Sequence, residues 1–233
     1  MDDRALARYF ADLAETLLSV TGVAATMKVL VDAAAEVVGG TEHASISHMQ
    51  GRALVSASSN DEVGHSLDGI QTGAQEGPCL DAIHTGEIVV THDLRTDPRW
   101  PRYGPAAVDS TGVLSSYAHP LHDGRRTFGA LNLFADDVDA FRGDTEQEAA
   151  IAILAAHSSP ALAAAVHREN MEAALRTRDL IGQAKGLLMA RSGVDEDAAF
   201  QMLVSASQRM NVKLAEVARR LVEGKLAQGD GGA

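Results

Sequence analysis

Apolar positions recur at helical spacing at both ends of this chain and at strand spacing between them. Leu6, Phe10, Leu13 and Leu17 form one stripe and predict a helix over 2–18, broken at Thr21-Gly22. Met27, Leu30, Val31, Ala34 and Val38 predict a second helix over 23–38, ended by Gly39-Gly40. The period then shortens to two: Ala44, Ile46 and His48 alternate with Ser45, Ser47 and Met49, a strand that turns at Gln50-Gly51 into a second over 52–58. The polar, Gly-rich stretch 60–75 reads as a loop. A short helix over 78–85, a strand over 88–91 and a structured loop over 93–104 follow, with a short helix over 106–110. Strands over 113–121 and 127–134 flank Asp123-Gly124, a hairpin signal. This order predicts an α+β domain on an antiparallel sheet flanked by helices.

Residues 146–191 read as one almost continuous helix, with Pro160 expected to kink or split it. Ile151, Leu154, Ala155, Leu162, Ala165, Met171 and Leu175 offer a seam for pairing two such helices, without a clean heptad. Ser192-Gly193 ends the helix. Asp195 is the expected N-cap of a helix to about Met210, and Asn211 the expected cap of a last helix from about 213 to 227. Ile181, Ala184 and Leu188, then Ala199, Met202, Leu203 and Ala206, then Leu214, Val217, Ala218 and Leu221 are stripes for a three-helix bundle. The final QGDGGA is expected to be disordered.

Composition narrows the classes. The 233 residues are 45% hydrophobic and 22% charged, as in a globular chain, with 4% aromatics, so the core rests on Leu, Val, Ile and Ala. No run of eighteen apolar residues occurs and the first residues are polar, so a cytoplasmic protein without a membrane span is expected. The net charge of −12 is uneven. Residues 1–171 carry 11 Lys+Arg against 24 Asp+Glu, and residues 172–226 carry 9 against 7. An acidic body thus precedes a near-neutral, Arg-studded end, which suggests two tasks in one chain.

Chemistry is sparse. The single cysteine, Cys79, excludes an intramolecular disulfide and a CxxC pair, leaving a buried small hydrophobe or a redox or attachment point. His119 and His122, His84 and His92, and Asp136, Asp137 and Asp139 lack the spacing of a metal site, so no metal is assigned. GxSxG, GxxxxGK[ST], HExxH and GxGxxG are absent, no catalytic residue is assigned, and a non-enzyme is expected.

The string QAKGLLMARSG, then AAF, then NVKLAEVA, resembles an ANTAR domain over roughly 175–226. Its three pattern alanines fall on Ala184, Ala199 and Ala218, and its aromatic on Phe200, expected in the core. The resemblance implies a three-helix module that binds paired RNA hairpins with small loops in transcription antitermination, and a homodimer that places two modules together. Phosphates require Lys and Arg, and loop bases require polar side chains. Lys185, Arg191, Arg209, Asn211 and Lys213 are the candidate RNA contacts.

The strings QEGPCLDAIHTGE, DLRTDPRWPRYG and GALNLFADDVDAF resemble a GAF domain, of the type that precedes ANTAR in actinobacterial regulators. The resemblance covers about 17–165 and implies sensing of a small molecule between sheet and covering loops. It names no cofactor. Cys79, Trp100, Tyr117 and His119 are the candidate pocket residues. One GAF-fold branch reduces free methionine sulfoxide with several cysteines, and Cys79 lacks a resolving partner for that reaction.

The expected organisation is a GAF sensory domain over 1–166, joined by a long helix to an ANTAR domain over 167–227, with a tail over 228–233. The expected function is signal-responsive antitermination. A protein-interaction module and a DNA-binding regulator are the competing readings, kept open by the modest charge of the C-terminal helices.

Overall fold

The computed structural model describes residues 3–50, 53–122, 127–143 and 145–224. The Gln50-Gly51 and Asp123-Gly124 turns and the 228–233 tail fall wholly or partly outside them. The chain divides into two compact units, residues 1–167 and 168–233.

The first unit is built on a five-stranded antiparallel sheet. Its strands are β1 (His43–Gln50), β2 (Ala53–Ser59), β3 (Val89–Thr91), β4 (Ser115–His122) and β5 (Thr127–Ala135), in the order β2-β1-β5-β4-β3. Alternation along these strands gives the sheet two different faces. Ala44 and Ile46 of β1, Tyr117 and Leu121 of β4, and Leu131 and Leu133 of β5 point to one face. There they meet α1 (Asp3–Ser19), α2 (Val23–Val37) and the start of α6 (Thr145–Ser192) through Phe10, Leu30, Val31, Ile151, Leu154 and Leu162. On the opposite face, Ala118 and Phe134 meet α3 (Glu62–Ala74), α4 (Pro78–Thr85) and α5 (Tyr103–Thr111) through Leu67, Ala82, Trp100, Tyr103 and Ala107.

Helix α3 replaces the loop expected over 60–75. Asp61 caps it by accepting from the amides of Val63 and Gly64 at 3.0 and 3.3 Å. Val63, Leu67, Ile70 and Ala74 then pack at helical spacing. The glycines that argued for a loop serve two purposes. A Cβ on Gly64 would press on Ser59 Oγ, Ser45 and the Ala44 carbonyl, so this glycine lets the helix lie directly on the sheet, whereas Gly69 and Gly73 face open space.

Pro160 does not divide α6. The helix runs unbroken for 48 residues from Thr145 to Ser192, although a proline withdraws the amide that the carbonyl four residues earlier would accept. Within it lies a window long and apolar enough, by length and composition, to cross a membrane. Its Ile151, Leu154 and Leu162 are buried in the core of residues 1–167.

In the second unit the end of α6 joins α7 (Glu196–Met210) and α8 (Leu214–Val222) around Ala184, Leu203, Val217, Ala218 and Leu221. Asp195 caps α7 through the amide of Ala198 at 2.8 Å, as its sequence position predicts. Asn211 ends α7 instead of starting α8: it sits in the left-handed region at φ 50° and its amide returns to the Ser207 and Gln208 carbonyls. Lys213 occupies the N-cap position of α8.

Candidate ligand chamber and candidate nucleic-acid face

The α3–α5 side of the sheet carries an unusual concentration of buried polarity. Ser45, Ser47, Ser116 and Asn132, at alternate strand positions, are buried beneath the covering helices. Against them α3 places Asp68, 1% exposed. Ser47 Oγ donates to Asp68 Oδ2 at 2.5 Å, and Asn132 Nδ2 donates to Ser45 Oγ and Ser47 Oγ at 3.1 and 3.3 Å. Gln71 Oε1 accepts from the amide of Cys79 at 2.9 Å and so satisfies an amide in the first turn of α4. Gly77, at φ 144°, precedes that turn, and a Cβ there would collide with the Gln71 side chain.

Several polar atoms of this layer have no protein partner: Asp68 Oδ1, Gln71 Nε2, the Tyr103 hydroxyl, Ser116 Oγ and Asn132 Oδ1. Each such atom costs about 1–3 kcal/mol when left unmade. Five together amount to a large fraction of an ordinary domain's stability. The electrostatics agree. Burial raises the Asp68 carboxyl from the usual 3.8 to about 6, against the lowering influence of the Ser47, Ser56 and Ser45 hydroxyls. Burial, then the charge of Asp68, pushes the Cys79 thiol and the Tyr103 phenol upward. Cys79 is fully buried and held as a thiol, a poor nucleophile.

The four residues expected to line one pocket are not brought together. Cys79 and Trp100 lie on the α3–α5 side, Trp100 donating Nε1–H to Asp81 Oδ2 at 2.8 Å and packing edge-on to Tyr103. Tyr117 and His119 point to the opposite face, because odd positions of β4 face α1, α2 and α6. Tyr117 packs on Phe141 there. His119 borders a separate cavity of about 750 Å³ with His122, Ala155 and Pro160, and burial lowers its pKa. Asp68, Gln71, Tyr103 and Asn132 were missed. Asp68 and Gln71 fall in the stretch whose polarity and glycines predict a loop, and nothing in a linear pattern marks Asn132 as sharing a layer with them.

In the second unit Ala184, Ala199 and Ala218 are each fully buried, where helices approach closely. Phe200 departs from its expected place: it is 37% exposed, because Ala199 takes the inward position and the next residue lies about 100° around the helix. It borders a groove with Ala173, Ala174, Ile181 and Lys185. Met202, expected inward, is exposed as well.

Arg209, Asn211 and Lys213 are all exposed and lie together at the turn from α7 to α8. Arg191 is exposed at the end of α6, away from that turn in sequence. Lys185 differs from the others: its ammonium pairs with Glu196, whose carboxyl is lowered by that bond. Among the described residues Arg191, Arg209 and Lys213 make no ion pair, so their charge is open to a partner.

The two units are a sheet with a buried polar layer under short helices and a three-helix bundle with an exposed basic turn. The GAF domain family model matches residues 20–163 and the ANTAR domain model matches 169–222. The chain belongs to the GAF family and carries a C-terminal ANTAR domain, which makes it a signal-responsive regulator in build. No curated protein matches it in sequence. Among solved structures, the GAF domain of an Acinetobacter phosphoenolpyruvate-protein phosphotransferase is 17% identical with a TM-score of 0.54, over 72% of this chain and 97% of that one. The corresponding domain from Coxiella burnetii is 15% identical with a TM-score of 0.54, over 72% and 96%. A free methionine-R-sulfoxide reductase from Neisseria meningitidis, solved with its substrate, is 17% identical with a TM-score of 0.51, over 72% and 95%. These likenesses establish the shared fold.

Proposed function

We propose that this chain regulates transcription antitermination: its ANTAR domain binds paired RNA hairpins, its GAF domain senses a small molecule, and it acts as a non-catalytic, cytoplasmic homodimer. The observation that carries the reading is the match of the ANTAR model to a three-helix unit with its own core. The exposed turn Arg209–Asn211–Lys213 supplies phosphate contacts and a polar group for loop bases, and Arg191 adds a further cation. Lys185 joins them only when it leaves Glu196. The single, buried Cys79 argues against the cysteine chemistry of the sulfoxide-reducing branch of the fold.

Replacing both Arg209 and Lys213 by Ala in the full chain tests the assignment. Hairpin affinity is expected to fall at least about tenfold, and the slope of log affinity against log salt to shrink by roughly one to two. Unchanged affinity and slope in a folded double variant would remove this turn from the interface. A second reading, an interaction with protein, draws on the exposed Phe200, Met202 and Met189. No hairpin binding by the full chain, with a protein captured by it and released by Phe200→Ala, would favour that reading.

A further inference from the structure

Residues 168–233 contain a single aromatic ring, Phe200, and the bundle core around Ala184, Leu203 and Val217 closes without it. Its setting gives the ring a use. It borders a groove of about 560 Å³ that lies wholly within the second unit. The facing wall is a stripe of α6: Arg178, Ile181, Gly182 and Lys185 stand at i, i+3, i+4 and i+7 and so share one side of the helix. Gly182 keeps that wall low, and a Cβ built on it meets nothing within 4 Å, so the groove is open space beside the ring. Among the described residues its lining holds two cations, Arg178 and Lys185, and no carboxylate. Arg178 is exposed and makes no ion pair among them. Lys185 is tethered to Glu196, one turn before Phe200 on α7, which fixes its ammonium beside the groove. An occupant must therefore offer a flat apolar face to the ring and negative charge to the guanidinium. An unpaired nucleobase with its phosphate offers both. A docking protein helix asks for a longer run of apolar anchors than Ala173, Ala174 and Ile181 provide.

Resting on the reading of the ANTAR domain as a hairpin binder, we infer that the groove between α6 and α7 receives one unpaired loop base, stacked on Phe200, with Arg178 holding the adjacent phosphate. Phe200 and Arg178 are then RNA contacts beyond the basic turn at Arg209–Lys213. Stacking supplies affinity without charge, which suits helices whose net charge is only about +2. The guanidinium, with its fork of donors, fixes the backbone on which that base is carried.

The test uses the full chain and a hairpin that it enriches from a random pool of structured RNA, with copies of that hairpin made abasic at one loop position at a time. Phe200→Ala is expected to weaken binding of the intact hairpin at least about fivefold while the slope of log affinity against log salt stays the same. Phe200→Leu, which keeps apolar bulk without a ring, is expected to behave like Phe200→Ala, and Phe200→Trp to retain binding. Arg178→Ala is expected to reduce the salt slope by about one. Gly182→Leu fills the groove on a helix that gains propensity, so hairpin binding is expected to weaken with no loss of thermal stability. At one loop position the abasic hairpin is expected to bind the parent and Phe200→Ala equally, which identifies the stacked base. Parent affinity in Phe200→Ala or Phe200→Leu, or a loss that persists undiminished with every abasic hairpin, overturns the inference and leaves hairpin binding through the basic turn standing. Sedimentation showing that Phe200→Ala dissociates a dimer makes the groove a contact between copies and overturns it as well. Enrichment of no hairpin counts against both the inference and the reading on which it rests.

Discussion

Asp68 concentrates the electrostatic conflict of the sheet domain, and its sign gives a direct prediction. Its folded pKa, about 6, lies above the unfolded 3.8, so between those values the folded state keeps a proton that the unfolded chain has lost. Stability therefore declines as pH rises through this window, by at most about 3 kcal/mol from this group. Asp68→Asn keeps an acceptor for Ser47 and removes the ionisation. The ligand-free variant is expected to unfold at higher urea than the parent at pH 7, with the advantage gone at pH 4. A variant less stable at pH 7 would show that the carboxylate is compensated within the fold. Residue-scale chemistry of this kind was only partly legible. Cys79 draws notice in the sequence as the lone cysteine, and Trp100 through the GAF resemblance. Asp68 and Asn132 do not, because what distinguishes them is burial and a shared serine, neither of which a linear pattern displays.

At the scale of elements, period and caps located most of the fold. Alternation from Ala44 to Met49 marked β1, and the aliphatic spacing of Ile181, Ala184 and Leu188 marked the bundle. The failures have physical causes. Helix α3 was hidden by three glycines, of which only Gly64 answers a steric demand, the contact with β1 and β2. The pair Gly64→Ala and Gly69→Ala separates these roles. The first is expected to destabilise the domain by roughly 1–3 kcal/mol through overpacking, the second to stabilise it by up to about 1 kcal/mol through helix propensity. Equal effects in chemical denaturation would contradict the close approach assigned to Gly64. The GAF resemblance groups Tyr117 and His119 with Cys79, and a linear pattern does not say which sheet face the odd positions of β4 take. Phe200 was placed inside because an aromatic is usually core, yet Ala199 already fills the inward position.

For the whole molecule, the account joins a candidate sensor in residues 1–167 to a candidate RNA face in residues 168–224 of one chain, with α6 contributing to both units. If ligand occupancy alters RNA binding, linkage requires that RNA alter ligand affinity by the same factor. A ligand identified by calorimetry is expected to change hairpin affinity several-fold, and the reciprocal titration to return the same ratio. Unequal ratios would break the two-site cycle, and identical RNA affinity with and without ligand would remove the sensor from the mechanism. Charge makes the effector step demanding, since residues 1–171 carry a net −13 and the helices after them only about +2. Nonspecific attraction is therefore weak, and RNA binding must come from a shaped, specific contact.

The measurement closest to this claim is selection from a random pool of structured RNA by the purified full chain, with the winners' affinities followed against salt and against duplex DNA. The account predicts enrichment of paired hairpins with small loops, affinity that falls as salt rises, and no comparable binding of duplex DNA. Failure to enrich any hairpin, or equal affinity for duplex DNA, would contradict it.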